Sequence, residues 1–499
     1  MPINFIPNDP LSVDAVPLRQ IVPRPDRPAS DAGFSLSTPV PEGIFAPGTP
    51  EFLFWQCREA ALLSLEVWER LNGALTEWSP QAFDRKRLQL LHDAGDDLNA
   101  YYDRQSLSFF HHATNGHTTS CGASTDIVSH EAGHAFLDAI RPDLFNSAVP
   151  ELAAFHEAFG DCMAIQVAIE DGETREVLLR QTPDLSGANF VEKIGEDASD
   201  GVKRALGPAD ASSQPRSALN AFTFQLPTSL PTTGPPPMLT ADAHSFSRVF
   251  SGCFYDLIRN IFRAAPTRDA DALLAASRIA GKLLITGART AQPNARFFQA
   301  VGRAMVLSDD ALNAGANRSA IGEAFANHGV LLGSSSALMP KFGLAGGAPD
   351  MGSASAGLLS RSTLTDIRRR MNVMPRGRVG IREIVLGATR FVEAVHQRSV
   401  DLTGIAKELK GVLAMAPEAL IIGASGGAAA AFNALPDPDA TADEVATFVF
   451  TLLQRELIEG LARSPAAPLM PTHTIKTVGG QKVLTRVRFS CAQASVISS

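Results

Sequence analysis

The sequence predicts an α+β fold, and three observations carry that expectation. Polar–apolar alternation marks strands between residues 87 and 110. Apolar side chains at helical spacing dominate from there to residue 330, and the last third mixes helices, extended stretches and a hairpin signal. The 499 residues are 45% apolar and 19% charged, the balance of a soluble globular chain long enough for two or three domains.

Residues 1–50 hold 11 of the 33 prolines, so they are expected to form a proline-rich arm, extended or disordered until it meets a surface. Phe54, Cys57, Ala61, Leu62, Leu65, Trp68 and Leu71 then recur at helical spacing, a first packed helix over 51–71. Strands are expected at Arg87–Leu91, Asp96–Asp103 and Ser106–Phe110. A helical stretch follows at 126–161, and residues 170–187 are polar and end as a loop. A proline-dense connection over 201–240 leads to His244 at a helix start, with further helices at 270–286, 295–307 and 318–330. The Gly/Ser/Ala-rich run 333–357 reads as a linker to an appended α+β domain, 358–499. That domain is expected to carry helices at 364–371 and 441–462. It also has a hairpin in which Gly479-Gly480 separates Thr472–Val478 from Lys482–Phe489.

The net charge of −8, from 44 basic and 52 acidic residues without a basic run, argues against nucleic acid or an anionic membrane as partner. Cys57, Cys121, Cys162, Cys253 and Cys491 are few, odd in number and lack CxxC spacing, so they read as buried small side chains rather than a disulfide framework. The N-terminus lacks the features of a signal peptide, which makes a cytoplasmic location, or export by another route, the expectation. The uncharged run 419–435 is broken by glycines and short for a membrane span, so it is expected to pack tightly within the fold.

The chemistry lies in residues 126–161. His130, Glu131 and His134 spell H-E-x-x-H, and residues four apart on a helix share a face, so both imidazoles can grip one ion while Glu131 reaches a metal-bound water. Catalytic zinc needs a third protein ligand. Glu157 is favoured, because Asp161 lies one turn further on and can orient a zinc-bound histidine. Glu151 is the rival, but the residue four beyond it is Phe155. An extended edge at Asn99–Tyr102 beside a metal suits a peptide adding as a strand, whereas the two tyrosines by themselves read as strand packing.

Together these motifs resemble the thermolysin-like zinc metallopeptidases, over about residues 50–333. The resemblance implies a two-lobed fold, with an α+β lobe carrying the H-E-x-x-H helix over 51–148 and a mainly helical lobe over 149–332. It implies zinc held by His130, His134 and Glu157, with Glu131 as general base and Asp138 and Asp161 behind the ligands. Asn99 and Ala100 fall where that family pairs with substrate. His244, followed by Ser247 and Tyr255, matches its transition-state histidine, and Arg216 its carbonyl-binding arginine, with Arg204 as competitor. The implied activity is endopeptidase cleavage of a protein or peptide, favouring apolar side chains after the cut.

The chain departs from the pattern in places. Phe145 stands where the family has a tyrosine that donates to the oxyanion. Asp126 and Glu196 match two calcium-binding carboxylates, but Ala168 and Lys193 stand where others are expected, so a full calcium site is not expected. Two other functions remain open: a zinc-holding interaction module with little catalysis, against which an intact Glu131 argues, and an aminopeptidase, for which no Gly-x-Met-Glu-Asn-like element is found.

Overall fold

The computed structural model describes residues 1–36, 38–207, 216–235, 237–333, 361–374, 377–386, 389–425, 428–431, 437–461 and 470–491. Their architecture is mixed α+β, with two larger sheets, two hairpin-sized sheets and no barrel among the described residues.

The first fifty residues have met their surface. Strand β1 (Ile3–Phe5) pairs antiparallel with β2 (Arg19–Ile21), and β3 (Gly33–Ser35) joins the main sheet. Ile3 and Phe5 are buried, which gives the segment apolar area to offset the entropy of ordering it. It is a layer of the body rather than a free arm. Helix α1 (Pro50–Asn72) starts where expected. Proline sits at its first turn, the Thr49 side chain accepts from Phe52 N at 3.2 Å, and Gly73 ends it at φ 88°.

The strands β4 (Arg87–Leu91), β5 (Ala100–Tyr102) and β6 (Ser106–Phe109) follow, then the hairpin β7 (His111–Thr114) and β8 (His117–Ser120). Strand β5 is shorter than the alternation implied. Strands β3, β4 and β6 run parallel, and β5 returns antiparallel against β6. Behind this sheet lie α2 (Thr125–Ile140) and α3 (Pro150–Glu170). Helix α3 is buried along its whole length; its apolar composition, sufficient to cross a membrane, here makes it the central core helix.

Within the polar stretch residues 172–181 form α4 (Gly172–Gln181), where the Asp171 side chain caps the helix by accepting from Thr174 N at 2.9 Å, and the stretch ends without helix or strand as expected. Helices α5 (Glu196–Leu206), α6 (Ala243–Ala264), α7 (Ala270–Thr290), α8 (Phe297–Asn313) and α9 (Arg318–Asn327) complete this part. All but the first residue of the expected linker lies outside the described residues.

Beyond it come α10 (Arg361–Arg370), β9 (Gly380–Leu386), β10 (Thr389–Asp401), β11 (Val412–Ser425), β12 (Ala428–Ala431), α11 (Pro438–Gln454), β13 (His473–Val478) and β14 (Gln481–Arg486). Helix α11 ends earlier than expected, at a turn where Glu456 takes φ 55°. The sheet order is β13-β14-β11-β10-β9 with β12 on β11; the hairpin forms, but its second strand ends at Arg486 rather than Phe489, and the described part of the small-residue run supplies strands. The last described strand, β15 (Phe489–Ser490), leaves this sheet and pairs antiparallel with β5, becoming the outer strand of the first. The C-terminal region shares part of the main core, since Val412, Val449 and Phe489 belong to the same hydrophobic cluster as Phe136 and Phe159, and it also holds a small cluster of its own around Ile367, Met371, Ala394 and Leu420.

Candidate metal centre

The centre depends on how closely α2 and α3 approach. A Cβ at Gly133 would lie 2.8 Å from the Gly160 Cα, and one at Gly160 would lie 2.6 Å from the His130 ring. Two glycines facing each other let the helices touch, and the histidine side chains then meet those of α3. The ligand atoms of His130, His134 and Glu157 all lie within 4.8 Å of one another, and all three residues are buried. Glu157 Oε2 is 3.4 Å from His130 Nε2 and 3.8 Å from His134 Nε2. Two imidazoles and a carboxylate converging on one point could hold a metal ion. Its chemistry fits a cation, because His134 Nε2, Glu157 Oε2 and both Glu131 oxygens are buried without a hydrogen-bond partner among the described residues.

The outer shell differs from expectation. Asp161 takes its expected place: its Oδ1 lies 3.0 Å from His130 Nδ1, and its Oδ2 accepts from Ser251 at 3.0 Å. Asp138 does not stand behind a histidine. Its oxygens accept from Tyr102 at 2.9 Å and from the Arg104 guanidinium at 2.8 and 2.6 Å, a fork that takes both of them. His134 instead has His156 beside it, with the two Nδ1 atoms 3.0 Å apart. When His134 Nδ1 donates to His156, its Nε2 is left to bind a metal. Glu151 faces elsewhere, paired with Arg296 and accepting from Phe298 N at 3.1 Å, so it is no third ligand.

The sequence places His244 at a helix start, and it sits in the first turn of α6, where Asp242 Oδ1 accepts from its N–H at 3.1 Å. Its Nε2 lies 3.2 Å from Glu157 Oε2 and donates to the Ser490 carbonyl at 2.7 Å. Arg216 reaches the centre, with Nη1 3.2 Å from His130 Nε2 and 3.7 Å from Glu157 Oε2. Arg204 does not; it pairs with Asp200 and donates to Thr119 at 2.6 Å. Phe145 is buried, its ring covered by the Arg104 guanidinium at 3.9 Å. Lys193 lies 3.5 Å from Glu196, putting an ammonium beside one of the two candidate calcium carboxylates.

Burial dominates the titration of the centre. It pushes Glu131 up to about 7, with Glu157 adding to the rise against His130 and Arg216. Burial also holds His134 well below its usual value. For Glu157, burial raises the pKa, but His244, His134 and His130 outweigh it and keep the carboxylate ionised. For His244, burial lowers the pKa, and Glu157 and Asp242 overcome it.

The edge at Ala100–Tyr102 is occupied by residues 489–491 of this same chain. Cys491 N donates to Ala100 O at 2.8 Å, and Asn99 Oδ1 accepts from the Ser490 hydroxyl at 2.8 Å. Phe489, expected at the end of the hairpin strand, belongs to this pairing instead. A strand of two residues next to a charged hairpin carries no periodicity to find, and only the pairing with β5 exposes it.

Scans against protein-family models and against curated proteins return no match to this chain.

Proposed function

We propose that this protein is a zinc-dependent endopeptidase of the thermolysin-like kind, with its centre between an α+β lobe and a mainly helical lobe. One observation carries the reading. Beside the His130–His134–Glu157 triad, Glu131 holds two buried oxygens unpartnered among the described residues, and His244 Nε2 donates to the main-chain carbonyl of Ser490, in the strand that pairs with the Ala100–Tyr102 edge. A general base, an oxyanion donor and a strand-binding edge around one cation site are the parts that peptide hydrolysis needs.

His130, His134 and Glu157 hold the ion. When bound, zinc supplies positive charge that polarises a carbonyl and acidifies water. Asn99 and Ala100 align the peptide as an added strand. Glu131 takes the proton of the attacking water and passes it to the departing amine, so that water is added across the peptide bond. His244 Nε2–H donates to the carbonyl oxygen as negative charge develops there, in place of the donor that Phe145 lacks. The Arg216 guanidinium adds a fixed positive charge beside Glu157.

The rival reading, a metal-holding interaction module, has one observation in its favour: the edge is already filled by β15. Glu131 distinguishes the two, because a module needs no general base. In Glu131→Gln the metal content is expected to stay at one ion per chain while cleavage of a quenched peptide falls by roughly 10³-fold or more. Metal analysis paired with the peptide assay checks this. A metal-loaded chain with an open cleft that cleaves nothing overturns the peptidase reading.

A further inference from the structure

We propose that the C-terminal strand is a built-in, substrate-shaped inhibitor of this centre, in which Phe489–Cys491 lie along the substrate edge and the Cys491 thiol closes the open face of the metal site. The inference rests on reading the centre as a metallopeptidase.

The segment makes each contact expected of a peptide substrate. It adds to β5 as an antiparallel strand, with Phe489 opposite Tyr102 and Ser490 opposite Tyr101. Its main chain donates to Ala100, its Ser490 hydroxyl donates to Asn99, and its Ser490 carbonyl accepts from His244. Phe489 anchors it, 1% exposed, with its ring 3.8 Å from that of His156 and 4.7 Å from that of His134, both at 21°. Phe145 meets the same ring edge-on at 5.3 Å, and the Arg486 guanidinium covers it at 4.1 Å. Phe145, which cannot serve as an oxyanion donor, thus serves as a wall for the plug.

Cys491 ends the segment at the reacting atoms. Its Sγ lies within 4.8 Å of a ligand atom of His130 and of Glu131, and Arg216 Nη2 donates to it at 2.6 Å. A cysteine alone would mean little. Here it stands with His130 and Glu131 in a second donor group that shares His130 with the His130–His134–Glu157 triad, beside Glu131 oxygens and a His134 Nε2 that are buried without partners among the described residues, and a thiol is a good donor for zinc. The Ser490 carbonyl on His244 and the thiol beside Glu131 together fill the positions that a scissile carbonyl and its attacking water require. Activity is released when the strand is cut or displaced.

Full-length protein loaded with cobalt(II) tests the thiol. Wild type is expected to show a near-ultraviolet thiolate-to-cobalt charge-transfer band, and Cys491→Ser to bind cobalt without it. Phe489→Ala tests the anchor: iodoacetamide is expected to alkylate Cys491 on the order of a hundredfold faster than in wild type, and peptide cleavage to rise on a similar scale. Circular dichroism confirms that each variant is folded, and Cys491→Ser, a one-atom change, serves if Phe489→Ala is not. A wild type without the cobalt band and with a freely alkylated Cys491 overturns the inference, as does a wild type that cleaves peptides as fast as Phe489→Ala. A wild type with the band and a protected thiol, whose opened variant binds metal but cleaves nothing, sustains the plug and overturns the peptidase reading instead.

Discussion

At the scale of single residues, the centre is decided by what α3 lacks as much as by what it carries. Glu157 and Asp161 can meet the histidines only because Gly160, on the same face, has no side chain. Gly160→Ala puts a methyl group 2.6 Å from the His130 ring, so the imidazole or the helix must shift. This overpacking is expected to cost about 1–3 kcal/mol of stability. Displacing His130 from Asp161 is expected to weaken zinc binding by roughly 10–100-fold. Denaturant unfolding of the metal-free chain and zinc titration measure the two effects separately. Unchanged zinc affinity would show that the helices part without disturbing the ligands. The ligands themselves were legible, since H-E-x-x-H and the Glu157–Asp161 pair are local patterns on single helices. The partners of His134 and Asp138 were not. Asp138 lies one turn beyond His134 in the sequence, yet it turns to Arg104 and Tyr102 across the sheet, and His156 takes the place expected of it.

At the scale of elements, the first fifty residues tie together helices that the sequence left separate. Asp9 is fully buried and accepts from Leu11 N at 3.0 Å, from Ser124 at the start of α2 at 2.8 Å, and from Asp197 N at the start of α5 at 3.1 Å. Burial pushes its pKa up to about 6, and nearby Asp197 adds to the rise. A carboxyl whose folded pKa exceeds its unfolded value binds more protons when folded, so its contribution to stability falls as pH rises from about 4 to about 6 and the full cost is present above that window. Asp9→Asn removes this cost while keeping an acceptor for the two N–H groups. The variant is expected to gain stability over wild type at pH 7.5, by about 3 kcal/mol at most, and little or nothing at pH 4. Melting curves at the two pH values check this, and a gain independent of pH would refute it. Proline content suggested an arm here because composition reports on intrinsic order, and Ile3, Phe5 and Asp9 acquire their roles only once buried.

At the scale of the whole molecule, the C-terminal region behaves as part of the body. Ala148 N donates to Met415 O at 2.9 Å and Arg486 Nε to Phe145 O at 3.1 Å, while Arg296 pairs with both Glu151 and Glu444, and Arg455 with Asp242. These contacts join the two regions across a shared core, so calorimetry of the intact chain is expected to show one unfolding transition. Two well-separated transitions would mean that the regions unfold independently. The Gly/Ser/Ala-rich run suggested a tethered domain, because flexible composition describes the connection and says nothing of the surfaces that it brings together.

The α+β class, most helices, the hairpin at Gly479-Gly480 and the donors of the candidate metal centre were legible in the sequence. All of these are written in short-range spacing, either the period of one element or a pair of residues one turn apart. Which side chains stand behind the histidines, that the first strands pack on the body, and that Phe489–Ser490 pair with Tyr101–Tyr102 emerge only in the tertiary structure. Those outcomes join residues up to 391 positions apart, as Asn99 and Ser490 are joined, and no local pattern encodes such a meeting. It follows from complementary surfaces and from a backbone edge whose hydrogen bonds had to be satisfied.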